Sequence, residues 1–415
     1  MYPFVLFALF AWLQGGAMTL AQIEAEALAN NPEIRSLEQQ KVVAEAATDS
    51  ALAVADPEFM YRAWSVPLLQ PWNVNETQHM FMLSQRFESQ RKRELRFLIA
   101  SDDAEIRAAA IAARKREISG MVQRAFYQLL RSNDQLRLHH EQITLAEQAV
   151  AAARIKYTVG KVPQQDVLKA QISYARLAEH ELMFEREAAM AQAELNALMG
   201  RPQDQPLEVT GNYPATLQLP TQAELQQLAI QNRPELQALT LMKRQGNRKV
   251  QLAQKGYSPD YTVSAGYMLN PAGSMNRNAW MAELTVSLPW LNRGSHDAEI
   301  RQAQAETHAI DAEYRTQEVA IARQIREALI AAESARKTME LYRDTLGPQA
   351  LSTLRATVAA YQTDQTDFLN LLDSQSMAID FQHRYFEALE AYEKSIADLE
   401  QAVGSPLPTI VRRPL

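Results

Sequence analysis

The chain of 415 residues contains no cysteine. This absence excludes disulfides, thiolate metal sites, a cysteine nucleophile and a cysteine-linked lipid anchor. Basic residues are not in excess either, because the formal net charge is −7 and both signs are interspersed along the chain. Nucleic acid is therefore not expected as a partner, and stability must come from packing and assembly.

Sequence motifs of common catalytic centres are also missing, since the chain has no HExxH, P-loop, GxGxxG or GxSxG pattern. His139 and His140 lie in a charged and polar segment, which favours solvated or helix-contact histidines over a metal site. Glu76 and His79 form a single Glu-x-x-His pair, whereas a di-iron bundle needs two. The 15 methionines are scattered, which favours packing in a core or barrel over thioether ligation of copper. We predict no enzyme, no cofactor and no metal site.

The N-terminus carries a short apolar run from Phe4 to Leu13, followed by the small residues Gly15, Gly16 and Ala17. The run is too short to span a bilayer, and its order is typical of a secretory signal peptide. We therefore predict a signal peptide at 1–17. No Lys or Arg precedes the run, and an N-terminal apolar strand or anchor is the alternative.

A duplication organises the rest of the chain, since residues 19–200 are repeated at 221–404. The offset is 202 at the beginning of the copies and 204 at the end. Matching pairs are Thr19 and Thr221, Asn30 and Asn232, Pro32 and Pro234, Glu33 and Glu235, Tyr157 and Tyr361, Gly200 and Gly404, and Pro202 and Pro406. A repeat of this length indicates one structural unit present twice. The predicted organisation is a first repeat at 18–200, a connection at 201–220, a second repeat at 221–404 and a tail at 405–415.

Long helical hairpins are predicted at about 94–199 and 297–403. From Glu94 to Tyr157 the chain has no proline and one glycine, and apolar residues recur every seven positions. A helix of sixty-odd residues is roughly 100 Å long at 1.5 Å per residue. Gly160 and Pro163 mark the turn to a return helix.

Four strands are predicted, at about 58–66, 79–87, 260–269 and 279–288, because apolar and polar residues alternate there. In the second repeat Val263 and Leu284 lie on the apolar, lipid-facing side. The residues predicted to face a lumen are Thr262, Ser264, Glu283 and Thr285. The alternative is a small soluble sheet beside a helical domain.

Strand number decides what a membrane location would require. Four strands cannot close a barrel, because the smallest bacterial outer-membrane barrels have eight. An open sheet edge in lipid leaves backbone groups without hydrogen bonds. If the strands lie in a membrane, several chains must share one barrel.

In this order and spacing, the motifs resemble the outer-membrane efflux protein family, the TolC-like channels. The motifs are Asn30-Asn31-Pro32-Glu33, Asn232-Arg233-Pro234-Glu235, Asp56-Pro57-Glu58, Ser258-Pro259-Asp260, Tyr157-x-x-Gly160 and the two Leu-x4-Gly-x-Pro ends. The stretch from Gln85 to Arg93 resembles the heavy-metal-efflux branch more than the drug-efflux branch. It lacks the Pro and Gly usual there, and the second hairpin turn lacks the Gly of the first.

The resemblance implies a fold that is mainly helical with a small β part. Family members are homotrimers in the outer membrane of Gram-negative bacteria, with a twelve-stranded barrel that continues into a helical barrel through the periplasm. The partners it implies are outer-membrane lipid, a periplasmic adaptor and an inner-membrane pump.

The resemblance also implies two functional regions in the hairpin turns. The adaptor-contact residues would be Tyr157, Val159, Gly160, Lys161 and Thr363, and the alternative is an ordinary turn. A periplasmic aperture would be lined by Asp364, Asp367, Asn370 and Asp373, of which Asn370 is an uncharged departure. The alternative for Asp364 and Asp367 is that they cap the return helix.

Two functions of different classes are therefore considered. The first is a passive trimeric duct of a tripartite efflux or type I secretion system, whose cargo the sequence does not name. The second is a soluble coiled-coil scaffold or adaptor, which would need neither lipid-facing strands nor export.

Overall fold

The structure is a computed structural model that describes residues 16–66, 68–69, 76–213, 219–275, 278–363 and 365–407. Residues 1–15, which hold most of the predicted signal peptide, lie outside the described residues. Helices make up most of the described chain. In the first repeat they are α1 (Leu20–Asn30), α2 (Pro32–Leu52), α3 (Gln90–Thr158) and α4 (Gln164–Met199). In the second repeat they are α5 (Gln222–Asn232), α6 (Pro234–Gln254), α7 (Arg293–Leu341), α8 (Gly347–Gln362) and α9 (Phe368–Val403).

Four strands form one antiparallel sheet in the order β1-β2-β3-β4. They are β1 (Glu58–Trp64), β2 (Gln78–Phe87), β3 (Tyr261–Leu269) and β4 (Asn278–Val286). β1 ends at Trp64, two residues before the predicted boundary, and the next residue, Ser65, has a positive φ of 56°. β4 also ends two residues early, just before a 3₁₀ turn at Pro289–Asn292. A proline has no N–H to extend a ladder.

The described chain divides into two compact units. Unit 1 contains the described residues within Met1–Arg35, Ala112–Arg233 and Glu318–Leu415. Unit 2 contains those within Ser36–Ile111 and Pro234–Gln317, including the whole sheet. α3 and α7 contribute residues to both units.

In unit 1, both repeats tie the end of their first helix to the end of their return helix. Asn31 accepts a hydrogen bond from the Glu33 backbone N–H at 2.9 Å and donates to the Leu198 carbonyl at 3.0 Å. At the matching place Arg233 donates from Nε to the Ala402 carbonyl at 2.8 Å. Different side chains therefore make the same connection in the two copies.

Glycine is required where the return helices end. Gly200 and Gly404 have φ of 71° and 78°, in the left-handed region that favours glycine. A Cβ on Gly200 would lie 3.2 Å from the Asn30 carbonyl oxygen, and one on Gly404 would lie 3.2 Å from Asn232 backbone atoms. The repeated Gly-x-Pro ends thus reflect a close approach between backbones.

The core of unit 1 is apolar and lies between α1, α3 and α4. Its largest fully buried side chains include Ile23, Ile118, Phe126, Leu195 and Met199. The heptad residues Val122 and Leu129 are buried in the same cluster. The apolar period of α3 is therefore its packing face.

Unit 2 contains a buried ion-pair network around Asp102, which is fully buried. Arg244 and Arg248 of α6 each contact its carboxylate at 2.6 Å, and Arg244 also reaches Glu105 at 2.6 Å. Burying a carboxylate is tolerated only with such partners. The network fixes α6 against the first turns of α3.

The second long helical arm runs through α7 and α8, with one change of helix type between them. A π-helical turn occupies Tyr342–Leu346 between α7 and α8. Gly347 donates its N–H to the Tyr342 carbonyl, and Pro348 has no N–H to continue the α-helical pattern. α3 and α7 also begin four residues before the predicted hairpins, at Gln90 and Arg293.

The fold class predicted from the sequence is confirmed: the chain is mainly helical with a small antiparallel sheet. None of the described helices combines the length and the apolar character that a membrane crossing requires. Closure of a twelve-stranded barrel by three chains stays a prediction.

Candidate functional site

The first hairpin turn is an exposed tip that contains four of the predicted adaptor-contact residues. Gly160 has a φ of 72° and donates its N–H to the Tyr157 carbonyl at 2.9 Å. Lys161 closes the turn by donating its N–H to the Lys156 carbonyl at 2.9 Å. Val159 at the tip is 63% exposed. A Cβ on Gly160 would meet nothing within 4 Å, so the turn needs glycine for its backbone conformation and not for space.

The second turn lies beside the first within unit 1. Lys156 places its ammonium 4.0 Å from the centre of the Tyr361 ring, a cation–π contact between α3 and α8. Phe368, Leu372, Ala153 and Ala170 form a small buried cluster next to it. The remaining predicted contact residue, Thr363, is exposed and ends α8. Sequence analysis did not single out Lys156, because a lone lysine in a helix is ordinarily solvated.

The predicted aperture residues differ in their contacts. Asp367 is the N-cap of α9 and accepts a hydrogen bond from the Asn370 backbone N–H at 2.9 Å. The Asn370 side chain donates to Thr366 Oγ1 at 3.2 Å. Asp373 is exposed and makes no hydrogen bond or ion pair with the described residues. Asp364 lies outside the described residues. The capping alternative thus applies to Asp367, whereas Asp373 takes no part in the cap.

Three histidines from three helices of unit 1 lie together. The ring centres of His139 (α3), His180 (α4) and His383 (α9) are 5.8 to 6.2 Å apart. Phe184 packs against His383 with ring centres 5.1 Å apart. The cluster lies at one end of a groove of about 690 Å³ between α4 and α9. Among the described residues, no group of three or more His, Cys, Asp or Glu is arranged to hold a metal ion.

His383 is held in its neutral form, and His139 is buried beside it. His139 is fully buried, and its Nε2 is 2.5 Å from the Leu177 carbonyl oxygen, which makes Nε2 the protonated nitrogen. Burial, together with the neighbouring His139 and His180, lowers the pKa of His383 to about 4. His140, by contrast, is exposed and lies 3.1 Å from Glu181. The sequence prediction of helix-contact and solvated histidines describes this pair.

A buried ion-pair network adjoins the histidines and joins the same three helices. Arg131 of α3 pairs with Glu187 of α4 and, at 2.5 Å, with Glu390 of α9. Lys394 pairs with Glu390 at 2.6 Å. Single charges in a heptad pattern are usually solvated, so the sequence did not reveal this network. It fixes the register between the helices of the two hairpins.

The four predicted lumen-facing residues lie together on one face of the sheet. Thr262 is paired with Thr285 and Ser264 with Glu283 in the β3–β4 register. The Ser264 hydroxyl also bonds that of Ser84 on β2 at 2.9 Å. On the opposite face Val263 is paired with Leu284, and both are exposed. The predicted polar and apolar faces are therefore distinct.

A buried lysine joins the helical part of unit 2 to the sheet, and sequence analysis missed it. Lys92 is only 7% exposed, and its ammonium contacts Asp260 at 2.7 Å and the Ser258 carbonyl at 2.8 Å. Arg86 also reaches Asp260 at 3.1 Å. Burial opposes ionisation of Asp260, but bonds from Lys92 and Arg86 outweigh it and lower the pKa. The sequence feature that could have predicted this contact is the basic stretch at 91–93 after β2, together with the acidic Ser258-Pro259-Asp260 motif before β3.

Solved structures similar to this chain are outer-membrane channels. The chain superposes on the outer-membrane channel OprN with a TM-score of 0.78 at 17% identity, covering 93% of this chain and 90% of that one. It superposes on CusC with a TM-score of 0.78 at 16% identity, covering 95% and 96%. VceC from Vibrio cholerae gives 0.76 at 17% identity, covering 93% and 96%. These likenesses define the fold class as that of the outer-membrane channels.

Sequence comparison gives the family. The family model described as outer membrane efflux protein matches residues 25–201 and 225–405. The chain therefore belongs to the outer membrane efflux protein family, and the resemblance found in its sequence is confirmed. It is an outer-membrane efflux channel protein that extends into the periplasm.

Two characterised relatives resemble the chain over most of its length. The cobalt-zinc-cadmium resistance protein CzcC of Cupriavidus metallidurans is 26% identical over 317 residues, which cover 75% of this chain and 74% of that protein. The outer membrane protein TolC of Vibrio cholerae is 21% identical over 413 residues, covering 94% and 91%. The family consists of channel proteins, and its members are not known as enzymes.

The histidine cluster predicts acid sensitivity. An unfolded histidine has a pKa near 6.5, so between that value and about 4 the unfolded chain binds more protons than folded His383 does. Stability must fall as pH falls through this window, by about 2 kcal/mol between pH 7 and pH 5. His383→Gln should remove that loss in urea unfolding, although Arg131, Asp380, His139 and His180 face the site.

The control is His140→Gln, since His140 is 67% exposed at its side chain. This variant should keep the full pH dependence of the parent. Equal losses of stability in the parent and in His383→Gln would contradict the assignment.

The contacts at the second turn predict separate roles for two aspartates. Asp367→Ala removes the cap of α9 and should cost about 1 kcal/mol of stability. Asp373→Ala should leave the unfolding midpoint unchanged, yet raise single-channel conductance in a planar bilayer and weaken block by divalent cations. Asp166→Ala, in the first turn of α4, is the control carboxylate and should change neither conductance nor block. Unchanged conductance in Asp373→Ala would place the aperture elsewhere.

Proposed function

We propose that three copies of this chain form a passive duct of a tripartite efflux system that exports metal cations. The observation that carries the proposal is an open four-stranded sheet, polar on one face and apolar on the other, on two long helical hairpins. Family membership favours this channel over a soluble scaffold. Type I secretion stays the second route by which such a duct could be used.

The sheet edges support a trimer. β1 and β4 are the edge strands, so each has one side without a partner strand in the sheet. In hydrocarbon an unpaired backbone group costs several kcal/mol. Pairing β4 of one copy with β1 of the next satisfies both edges, and three copies supply twelve strands. This number is within the range of closed outer-membrane barrels.

The outer face supports a location in lipid. Apolar and aromatic side chains are exposed there, and they would otherwise form an unusually apolar surface patch. They are Phe59, Tyr61, Phe81, Leu83, Tyr261, Val263, Trp280 and Leu284. Trp280 is 84% exposed and lies near the loop between β3 and β4. Aromatic residues at strand ends are typical of membrane interfaces.

The hairpin tips are proposed to bind the periplasmic adaptor, and Tyr157, Val159, Gly160, Lys161 and Thr363 are the contact residues. All five are exposed. The contact between Lys156 and Tyr361 holds the two turns beside each other. The adaptor can therefore contact both turns at once.

The cargo is proposed from the relatives and from charge. CzcC is described as a cobalt-zinc-cadmium resistance protein. The polar face of the sheet carries Glu58 and Glu283 beside Arg62 and Arg86, so its formal charges balance. Asp373 is an exposed carboxylate near the second turn and makes no ion pair with the described residues. Carboxylates along a channel favour cations over anions. Metal cations are therefore the proposed cargo class.

The two faces of the sheet predict opposite responses to arginine. Val263→Arg or Leu284→Arg places a charge in lipid and should cost about 2–4 kcal/mol, so less trimer should reach the outer membrane. Thr262→Arg and Thr285→Arg, the directly opposed pair on the other face, should assemble normally. Membrane fractionation with unboiled gels measures the trimer. Equal assembly of all four variants would reverse the assignment of the faces.

The function is tested in a Gram-negative host that lacks its own cation-efflux channel and expresses this chain with its pump and adaptor. The parent should restore tolerance to zinc, cobalt or cadmium and lower their accumulation. Gly160→Asp should abolish this export and adaptor crosslinking while the trimer forms. Gly273→Asp is the matched control, because Gly273 also has a positive φ and a Cβ at this position would meet nothing within 4 Å. Full tolerance in Gly160→Asp would remove the proposed docking role.

A further inference from the structure

Methionines scattered through the sequence gather on one face of the sheet. Direct partners across an antiparallel pair share a face. Met60 is opposite Met82, and Met80 is opposite Met268. Met82 is also opposite Gly266, which in turn is opposite Met281. Five thioethers from four strands therefore lie in two adjacent rows.

This methionine face is the polar face of the sheet. The adjacent row contains Glu58, Ser84, Ser264 and Glu283 in direct register. Successive residues of a strand alternate between faces, and Met82 and Ser84 are two apart. The methionines therefore share a face with Ser264 and Glu283, which are proposed to face the lumen. On that proposal the thioethers line the channel.

Spacing brings the sulfur atoms within reach of a shared ion. Opposed Cβ atoms lie about 4.5–5.5 Å apart, and residues two apart on a strand are separated by about 6.6 Å. Methionine has three rotatable side-chain bonds beyond its Cα, so its sulfur can move over such distances. The pairs Met60–Met82 and Met80–Met268 can thus supply two to four sulfurs to one site.

Packing alone does not account for the face. The lumen side of an outer-membrane barrel is ordinarily polar, yet here two rows are rich in thioethers. The sulfur of Met268 accepts a bond from Gln78 Nε2 at 2.7 Å, and that of Met60 accepts one from Arg62 Nη2 at 3.4 Å. These two sulfurs contact polar donors, whereas the side chains of Met80 and Met82 are buried.

Gly266 lies between Met82 and Met281 in the strand register, where the neighbouring strand approaches closely. A Cβ at this position would lie 2.6 Å from the Phe81 carbonyl oxygen, closer than real Cβ contacts. No side chain can therefore stand between Met82 and Met281 without moving the backbone.

We propose that this methionine face binds soft monovalent cations, Cu(I) and Ag(I), through thioether sulfur. Thioethers select Cu(I) over Zn²⁺ and Co²⁺, which bind imidazole or oxygen ligands better. Glu58 and Glu283 in the adjacent row carry two negative charges, which balance Arg62, opposite Met80, and one bound monovalent ion. Several weak sites in series let an ion enter and leave a channel. The inference rests on the proposed function for the lumen orientation of this face, and it adds soft monovalent cations to the proposed cargo class.

The test measures Cu(I) binding to the purified full-length protein in detergent, by anaerobic competition with a chromogenic Cu(I) chelator, and Ag⁺ binding by calorimetry. The test variant combines Met60→Leu, Met80→Leu, Met82→Leu and Met268→Leu, which conserve side-chain volume. It should bind both ions at least tenfold more weakly than the parent. The control combines Met190→Leu with Met377→Leu, two exposed helical methionines, and should bind like the parent.

Unboiled gels verify that each variant forms the parent's oligomer. If the fourfold variant assembles but binds Cu(I) as the parent does, the inference is wrong. Absence of Cu(I) binding in the parent would overturn it as well. A failure of the proposed function is distinct, because it would appear as lost zinc or cobalt export or as absence from the outer membrane, whatever the Cu(I) affinity. If the fourfold variant does not form the parent's oligomer, two double variants are tested instead. They are Met60→Leu/Met82→Leu and Met80→Leu/Met268→Leu, and each must weaken Cu(I) binding.

Discussion

Backbone hydrogen bonding at the two edges of the sheet is the constraint on which the rest of the structure depends. Four antiparallel strands satisfy each other's peptide groups except along the outer sides of β1 and β4. Water can satisfy such groups, whereas hydrocarbon cannot. The apolar outer face is therefore compatible with lipid only when the edges meet other copies. The proposed barrel, shared by several copies, meets this one requirement.

The helices of unit 1 solve a different problem, which is how long amphipathic helices keep one register. Apolar heptad positions alone allow a helix to slide by one repeat at little cost. The Arg131 network and the three histidines place polar groups at one level of α3, α4 and α9, where any slip leaves them buried and unpaired. Alanine at many contacts permits close approach, and the polar level selects one alignment.

The duplicated repeats show how one plan tolerates different side chains. Asn31 and Arg233 both bond a carbonyl near the end of the return helix, although one is a short amide and the other a long cation. The glycines at 200 and 404 are identical, because left-handed backbone and close contact leave no alternative. The hairpins diverge more. The first turn uses Gly160, which the second turn lacks, and the second long arm contains a π-helical turn before Pro348. Backbone geometry is thus retained more strictly than any particular hydrogen bond.

The sequence by itself determined the elements whose signals are local. The alternation of polar and apolar residues predicted the strands and placed Thr262 and Val263 on opposite faces of the sheet. Heptad spacing predicted the core positions Val122 and Leu129, and Gly160 predicted the first turn. These features depend on residues a few positions apart, where periodicity and backbone preference act. Tertiary structure alone decided which distant side chains meet: Lys92 with Asp260, Asp102 with Arg244, the three histidines, and Met60 with Met82. Each of these contacts depends on strand register or helix alignment across many residues, and a one-residue shift in a strand would move Met60 to the opposite face. Composition and spacing cannot specify such a register, because it is set by the packing of the whole unit.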